Sequence, residues 1–491
     1  MKNEEVFLPL GPLAIEKDVI KKLPPKFASH YKVMPIAFKD GVLTVAMRDP
    51  LNVEIIDEIS LAVDVPIHPV SASEKDILET IRKYYGVGAE TIEHMMGTVR
   101  SIQKREEIEQ IDEIDSEASI AKFLNQILFE AYRDRSTDIH IEPFENVLHI
   151  RYRIDGLLYD AKVPQNIWHF KDSINSRIKI LSNLNIAEKR IPQDGRFKVR
   201  IQEVELDLRV SFLPTLYGES VVIRLLNTTR LLSLEELGLQ TKDIHFLEQL
   251  IKKPHGIIFL TGPTGSGKTT TLYSGLSRIN TEHTKIITIE DPIEYQLKGI
   301  TQIQINPKVG VTFANGLRSM LRHDPDIMMV GEVRDKETAE IAIQVALTGH
   351  LIFSTLHTND AASGITRLLD MGVEPYLITS TVECFIAQRL IRKICPDCKE
   401  SKEVNGAVTY YGKGCGHCHM TGYKEREGIY EFLLMTEEIR QLIMQRQTAS
   451  VIKEKAVAQG MKTLSEAGWE KVKAGITTPE EILRVTKEEA A

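Results

Sequence analysis

Nowhere do the 491 residues contain the roughly 18 consecutive apolar residues that a membrane-spanning helix needs. The opening, MKNEEVFLPLGPL, has no basic stretch ahead of a long apolar core and does not read as a secretory signal. Cysteine is scarce: there are five, four of them in one short segment and Cys384 alone. These features point to the cytosol or the cytosolic face of a membrane. In that reducing setting, clustered cysteines mark metal rather than disulfides. Positive charge is not in excess either. The formal net charge is -8, which argues against a protein whose main work is gripping nucleic acid. No basic stripe interleaved with aromatics offers a surface for stacking bases.

What is present is an ordinary soluble composition, with 42% hydrophobic and 26% charged residues. The length suggests about three domains. Residues 1–88 read as a small mixed α/β domain. YKVMPIAF and VLTVAM are strand-like around the turn Lys39-Asp40-Gly41, and two helical stretches flank VPIHPV. Ser73 is placed to cap the second of these helices. Residues 89–117 are acidic and lack aromatics, so they read as a linker or as a solvated helix. A second domain spans 118–230. It opens with a helix whose apolar face carries Ile120, Phe123, Leu124, Ile127, Leu128 and Ala131, followed by alternating strands. From 231 to 394, short apolar strands alternate with helices: GIIFLTG, KIITIED, IMMVGE and LIFSTLH. That is the texture of a doubly wound, buried parallel sheet. A cysteine segment (395–425) and a helical region (426–491) complete the chain.

The strand GIIFLT runs into Gly262-Pro263-Thr264-Gly265-Ser266-Gly267-Lys268-Thr269-Thr270, and a helical pattern follows. This is the phosphate loop G-x-x-x-x-G-K-[ST] in the context it requires. Glycines let backbone N–H groups close around phosphates, and the helix presents its positive end. Lys268 is expected to reach the β- and γ-phosphates of ATP, and Thr269 to ligate Mg²⁺. Next, IITIEDPIEY ends a strand with Glu290 and Asp291, and Glu294 follows. Strand C-terminal ends are where ligands bind in such sheets. Glu290 is a candidate for orienting the attacking water, with Asp291 and Glu294 in support. In DIMMVGEVRD, the aspartate that commonly ends such a strand is replaced by Gly331, so Glu332 is the metal-side carboxylate. Which of Glu290 and Glu332 activates the water stays open. His350 and His357 bracket LIFSTL, beside Thr355 and Thr358. Each histidine is a candidate partner for the γ-phosphate or a neighbouring carboxylate.

Cys395-x-x-Cys398 and Cys415-x-x-Cys418 are separated by 16 residues. That spacing suits a closed, structural Zn²⁺ held by four thiolates. His417 and His419 are competing ligands. A redox C-x-x-C would leave the second pair unexplained.

Taken in order, GPTGSGKTT, ITIEDPIEY, DIMMVGEVRD and TGHLIFSTLHTND resemble the Walker A, Asp, Walker B and His boxes of the secretion ATPase superfamily. TDIHIEPFE (from Thr137), QDGR, LDLRVS and YGESVVIRLL are similar to segments of the assembly ATPases of type II secretion and type IV pili. The likeness covers about residues 119–491, and the first domain more weakly. It implies an α/β multidomain fold: a RecA-like P-loop domain, a PAS-like mixed α/β second domain, a small N-terminal α/β domain and a four-cysteine zinc insert. It implies ATP hydrolysis in a homo-hexamer, with Arg196, Arg209 and Arg224 of the second domain reaching the bound phosphates as the domains close. It further implies a first domain that docks on the cytoplasmic part of an inner-membrane platform subunit, giving peripheral membrane association and work delivered to a pseudopilus. No RLG-x-x-L repeat of the cyclic-di-GMP-binding relatives occurs in the first domain, so that ligand is not expected. Type IV pilus assembly is the alternative. A DNA-translocating ATPase shares the fold, but the negative charge and the absence of a basic aromatic stripe count against it; a small-molecule kinase would need an acceptor pocket and no ring.

Overall fold

The computed structural model describes residues 10, 15–85, 114–201, 204–226, 231–404 and 407–486. The chain divides into two compact units, Met1–Asn227 and Thr228–Ala491. Most of the expected linker, 89–117, lies outside the described residues.

The first unit holds two sheets. The smaller contains β1 (Met34–Lys39), β2 (Val42–Met47) and β3 (Ile67–Ser71), in that order. β1 and β2 are antiparallel around Asp40 and Gly41, both at positive φ, as the expected turn requires. β3 runs parallel to β2, and the helix Val53–Val63 makes the crossover. Ser73 caps the next helix, Glu74–Tyr85, its Oγ accepting from the Asp76 N–H at 3.1 Å.

The larger sheet has six strands in the order β6-β5-β4-β9-β8-β7. These are β4 (Asp138–Pro143), β5 (Leu148–Ile154), β6 (Leu157–Asp160), β7 (Gln193–Ile201), β8 (Val204–Thr215) and β9 (Gly218–Leu226). All its pairings are antiparallel. Alternation sorts its faces: Leu206, Leu208, Val210 and Phe212 are buried, as are Val221, Ile223 and Leu225. The helix Ile114–Arg133 contributes Phe123, Leu124, Ile127 and Leu128 to the same core.

The second unit is built on a seven-stranded sheet of order β12-β11-β13-β14-β10-β15-β18. Its strands are β10 (Gly256–Thr261), β11 (Ile286–Glu290), β12 (Thr301–Gln304), β13 (Ile327–Val330), β14 (Leu351–Leu356), β15 (Val382–Ile394) and β18 (Tyr423–Leu434). Every residue of β10, β11, β13 and β14 is buried. Helices on both faces leave these strands no solvent side, so they read as largely apolar runs without alternation. β18 alone is antiparallel. It corrects the sequence reading of 426–491 as helical: Tyr423–Leu434 is a strand of the nucleotide-binding sheet. The cysteine segment is therefore an insertion between two paired strands. It carries its own hairpin, β16 (Lys399–Val404) and β17 (Ala407–Gly412). Four helices follow β18 among the described residues, and the last is tied to β15 by the buried Glu481, which accepts from the Arg392 backbone and guanidinium at 2.8–3.1 Å.

Candidate functional site

β10, β11, β13 and β14 run parallel, so their C-terminal ends share one edge. There the phosphate loop leaves β10 and enters the helix Lys268–Ile279. Gly265 and Gly267 have φ of 80° and 88°, which side chains tolerate poorly. At Gly262 a Cβ would stand 2.6 Å from the Gln388 carbonyl oxygen. Gln388, on β15, underlies the loop and accepts from Thr271 Oγ1 at 2.9 Å. Lys268 Nζ donates to the carbonyls of Gly262 and Pro263, at 2.8 and 3.1 Å, which holds the ammonium inside the loop. Burial pulls its pKa down to about 8, Glu332 opposing and Arg389 adding to the fall. Pro263, Thr264 and Gly265 are exposed, Ser266 is buried, and Thr269 and Thr270 are partly buried on the first helical turn.

Glu332 follows β13 and is buried. Arg334 Nη2 lies 2.5 Å from one of its carboxylate oxygens and His357 Nε2 lies 3.3 Å from the other. Burial and the positive field of Lys268 lower the His357 pKa, against the pull of Glu332. Lys268, Glu332 and His357 thus form one electrostatic cluster. Gly331 explains the missing aspartate. A Cβ there would approach the Glu290 Cα and the Ile289 carbonyl oxygen to 3.3 Å. The neighbouring strand leaves little room for a side chain there, and the next residue, Glu332, is the buried carboxylate at this strand end.

Glu290 is also buried, and it is enclosed. Its carboxylate accepts from Tyr273, from Thr288 Oγ1 at 2.5 Å and from Gln302 Nε2 at 3.2 Å. Tyr273 also accepts from the Glu294 N–H at 3.4 Å. Burial, with Glu290 beside it, raises the Tyr273 hydroxyl pKa far above its ordinary value, so the hydroxyl stays a donor. Asp291 is exposed and Glu294 half-buried. Thr355 Oγ1 donates to the Gly331 carbonyl at 2.7 Å, and Thr358 Oγ1 to that of Asp360 at 3.1 Å.

The two histidines part company. His357 joins the cluster. His350 precedes β14 at the opposite end, where its carbonyl accepts from the Gly256 N–H at the start of β10. Six residues of strand separate it from the phosphate loop, roughly 20 Å. Its ring meets Thr348 and the Val345 carbonyl. The structure does not bring His350 to the site, because bracketing a strand places the two residues at its opposite ends.

Arg196, Arg209 and Arg224 lie in the first unit, on β7, β8 and β9. Cross-strand register pairs Arg196 with Arg209 and Arg209 with Arg224. All three therefore share the face away from the core.

The four cysteine sulfurs lie within 4.8 Å of one another. Contacts of 3.9 Å (Cys395–Cys415), 3.8 Å (Cys398–Cys418) and 3.7 Å (Cys415–Cys418) match the edge, about 3.8 Å, of a tetrahedron with metal–sulfur bonds of about 2.3 Å. Burial opposes ionisation of Cys418, but N–H groups of Cys415 and Gly422 hydrogen-bond its sulfur and bring it down to about 7. The four residues are able to hold a metal ion. His417 instead pairs with Asp397 at 3.1 Å.

Sequence reasoning missed Tyr273, Gln302, Gln388 and Arg389. Tyr273 stands five positions after Lys268 on the helix, but no spacing rule singles out a partner for a carboxylate on another strand. Arg334 was within reach, two residues beyond Glu332.

A family model described as type II/IV secretion system protein matches residues 113–484, and one described as MshEN domain matches residues 6–91. The type II secretion system protein E of Xanthomonas campestris pv. campestris is 44% identical, the match covering 94% of this chain and 84% of that protein. The type IV pilus assembly ATPase PilB of Myxococcus xanthus is 41% identical, covering 96% of this chain and 87% of that protein. Among solved structures, the pilus retraction motor PilT with bound ADP superposes with a TM-score of 0.50 at 26% identity, covering 73% of this chain and 95% of that one.

Proposed function

The chain belongs to the type II/IV secretion system protein family of ATPases, and on that premise we propose that it is a cytoplasmic, ring-forming ATP hydrolase that drives pseudopilus assembly and protein export through a type II secretion system. The observation that carries the hydrolytic part is the cluster of Lys268, Glu332 and His357 at one sheet edge. Lys268 and the loop N–H groups bind the β- and γ-phosphates. Mg²⁺, held by Thr269 and carried on the Glu332 side, would supply charge neutralisation of the triphosphate. Glu332 holds the metal-side position, His357 and Arg334 orient it, and Glu290 steadies the adjoining loop through Tyr273. Arg196, Arg209 and Arg224 meet the phosphates when the first unit closes on the second in a hexamer. Arg is suited to this because its planar fork matches phosphate oxygens.

Zn²⁺ is the metal for the four cysteines: an all-thiolate, closed tetrahedron suits a structural zinc. The first domain docks on the cytoplasmic part of an inner-membrane platform subunit and so brings the enzyme to the membrane. Among the described residues no helix is long and apolar enough to cross a membrane, so attachment would run through that partner.

Likeness to the pilus assembly ATPase supports a second reading, extension of type IV pili. A host deletion strain separates the two. Loss of exported proteins with pili intact, restored by the wild-type gene and not by Lys268→Ala, is expected. Normal export with lost pili would overturn the first reading. Removing residues 1–90 should leave basal hydrolysis but abolish sedimentation with inner membranes. Stimulation of turnover by DNA would instead revive a nucleic-acid role.

A further inference from the structure

Five neighbouring strands of the first unit place one residue each in a single row. Arg196 pairs with Arg209, Arg209 with Arg224, Arg224 with Asp138, and Asp138 with Arg153. Strands lie about 4.8 Å apart, and like charges directly opposite one another destabilise a sheet. Three arginines in register depart from that rule, as functional positions often do. The residue that ends their run is a carboxylate. Asp138 is 6% exposed, although the arginines beside it face outward. Its Oδ1 accepts from Arg224 Nε at 2.9 Å, and its Oδ2 accepts from Thr137 Oγ1 at 2.8 Å. On the other side Arg153 Nε stands 3.8 Å from Oδ2. Two arginines and a hydroxyl thus fix the carboxylate, and the carboxylate grips Arg224 at Nε. A guanidinium is planar, so anchoring Nε sets where its two Nη groups point.

We propose that Asp138 is a positioning residue for ATP hydrolysis, aiming the Arg224 guanidinium at the phosphate and offsetting the charge of the arginine row. The proposal rests on the reading that Arg224 meets the nucleotide. Orientation matters here because phosphoryl transfer is accelerated chiefly by placing charge against the developing transition state. An arginine held at Nε arrives with its fork already oriented. One left to rotate must be ordered at every turnover. The same row explains why Asp138 is a carboxylate rather than an amide. An asparagine also accepts a hydrogen bond, but it lacks the charge that strengthens the bond to a guanidinium.

The test is steady-state kinetics on the full-length, assembled protein, with nucleotide affinity and thermal melting measured alongside. Asp138→Asn should lower kcat roughly tenfold while leaving KM and ATP affinity within about twofold. Arg224→Ala should lower kcat further. The double variant should be no slower than Arg224→Ala alone, because Asp138 acts through Arg224. Wild-type kcat in Asp138→Asn beside an impaired Arg224→Ala overturns the positioning role and spares the arginine reading. Full activity in Arg224→Ala overturns the arginine reading and the proposal with it. Multiplying losses in the double variant also overturn the proposal, since Asp138 would then act elsewhere. If Asp138→Asn fails to fold, Thr137→Val, which removes one bond to the same carboxylate, carries the test. It should give a smaller kcat loss with unchanged melting; an unchanged kcat counts against the proposal.

Discussion

His357 Nε2 lies 3.3 Å from a carboxylate oxygen of Glu332, and the two residues come from the ends of adjacent parallel strands. Burial and the Lys268 ammonium hold the imidazole neutral below its ordinary pKa of 6.5. Acid should therefore convert the contact of a neutral imidazole with the Glu332 carboxylate into an ion pair that draws Glu332 away from the metal-side task proposed for it. Because the native pKa is lowered, we expect kcat to hold through pH 6.5 and to fall only at more acid pH, once native His357 takes up its proton. His357→Gln should be slower at neutral pH by roughly tenfold and should lose that acid limb. The sign for stability is the same. With the native pKa lowered, the unfolded chain takes up the proton first, so acid disfavours the native state from about 6.5 down until native His357 is itself protonated. A His357→Gln variant with an unchanged pH profile would remove the histidine from the mechanism.

Lys268→Ala should cut hydrolysis at least about 100-fold, the scale of losing a preorganised charge at the reacting phosphate. The melting temperature should hardly move. Lys268 hydrogen-bonds only loop carbonyls among the contacts described, and its burial opposes its charge. Nucleotide binding and turnover, measured on protein of confirmed fold, check this. A collapse of the fold would mean the lysine serves the loop more than the nucleotide.

Gly331→Asp supplies the acid that commonly ends such a strand, and it should make the protein worse. The new Cβ would be 3.3 Å from backbone of β11. Such crowding costs about 1–3 kcal/mol and displaces Glu290. We expect a lower melting temperature and a lower rate. A gain in activity would show that β11 and β13 can separate cheaply.

Elemental analysis of protein purified without chelator should find zinc in equimolar amount with the chain. Cys395→Ser should remove it and loosen the insertion, because metal affinity at such a site is folding free energy. The phosphate loop should be spared: Cys395 lies seven residues beyond Gln388 along the same run of chain, roughly 23 Å away. Nucleotide affinity of Cys395→Ser close to wild type is the expected result, and its loss would tie the insertion to the site.

The parts legible in the sequence were those with a local signature. β10, β11, β13 and β14 are wholly buried and so largely apolar in texture, and the glycines of the loop mark a backbone that side chains would obstruct. Helix faces and the Asp40–Gly41 turn carry their own periodicity. β12 and β18 were not legible. β12 is four residues long and polar on an edge. β18 pairs with a strand that precedes it by a whole metal-binding insertion, so nothing nearby announces it. Glu290 was found as a residue, but its enclosure by Tyr273, Thr288 and Gln302 depends on contacts among three elements. The same holds for His350, where sequence adjacency to the boxes concealed the length of the intervening strand.

The row from Arg196 to Arg153 also limits how this part of the gene can change length. Side chains in a strand alternate faces, so deleting or inserting one residue within β7, β8 or β9 would turn its arginine toward the core and a leucine or valine toward solvent. Point substitutions elsewhere on these strands leave the row intact. Single-codon insertions and deletions do not, unless they fall in a turn such as Leu216–Tyr217, between the β8 and β9 ends. A deletion scan across residues 193–226 should therefore show tolerance at the hairpin tip and loss of turnover within the strands. For this segment the reading frame of the sheet, as much as the identity of its residues, is under constraint.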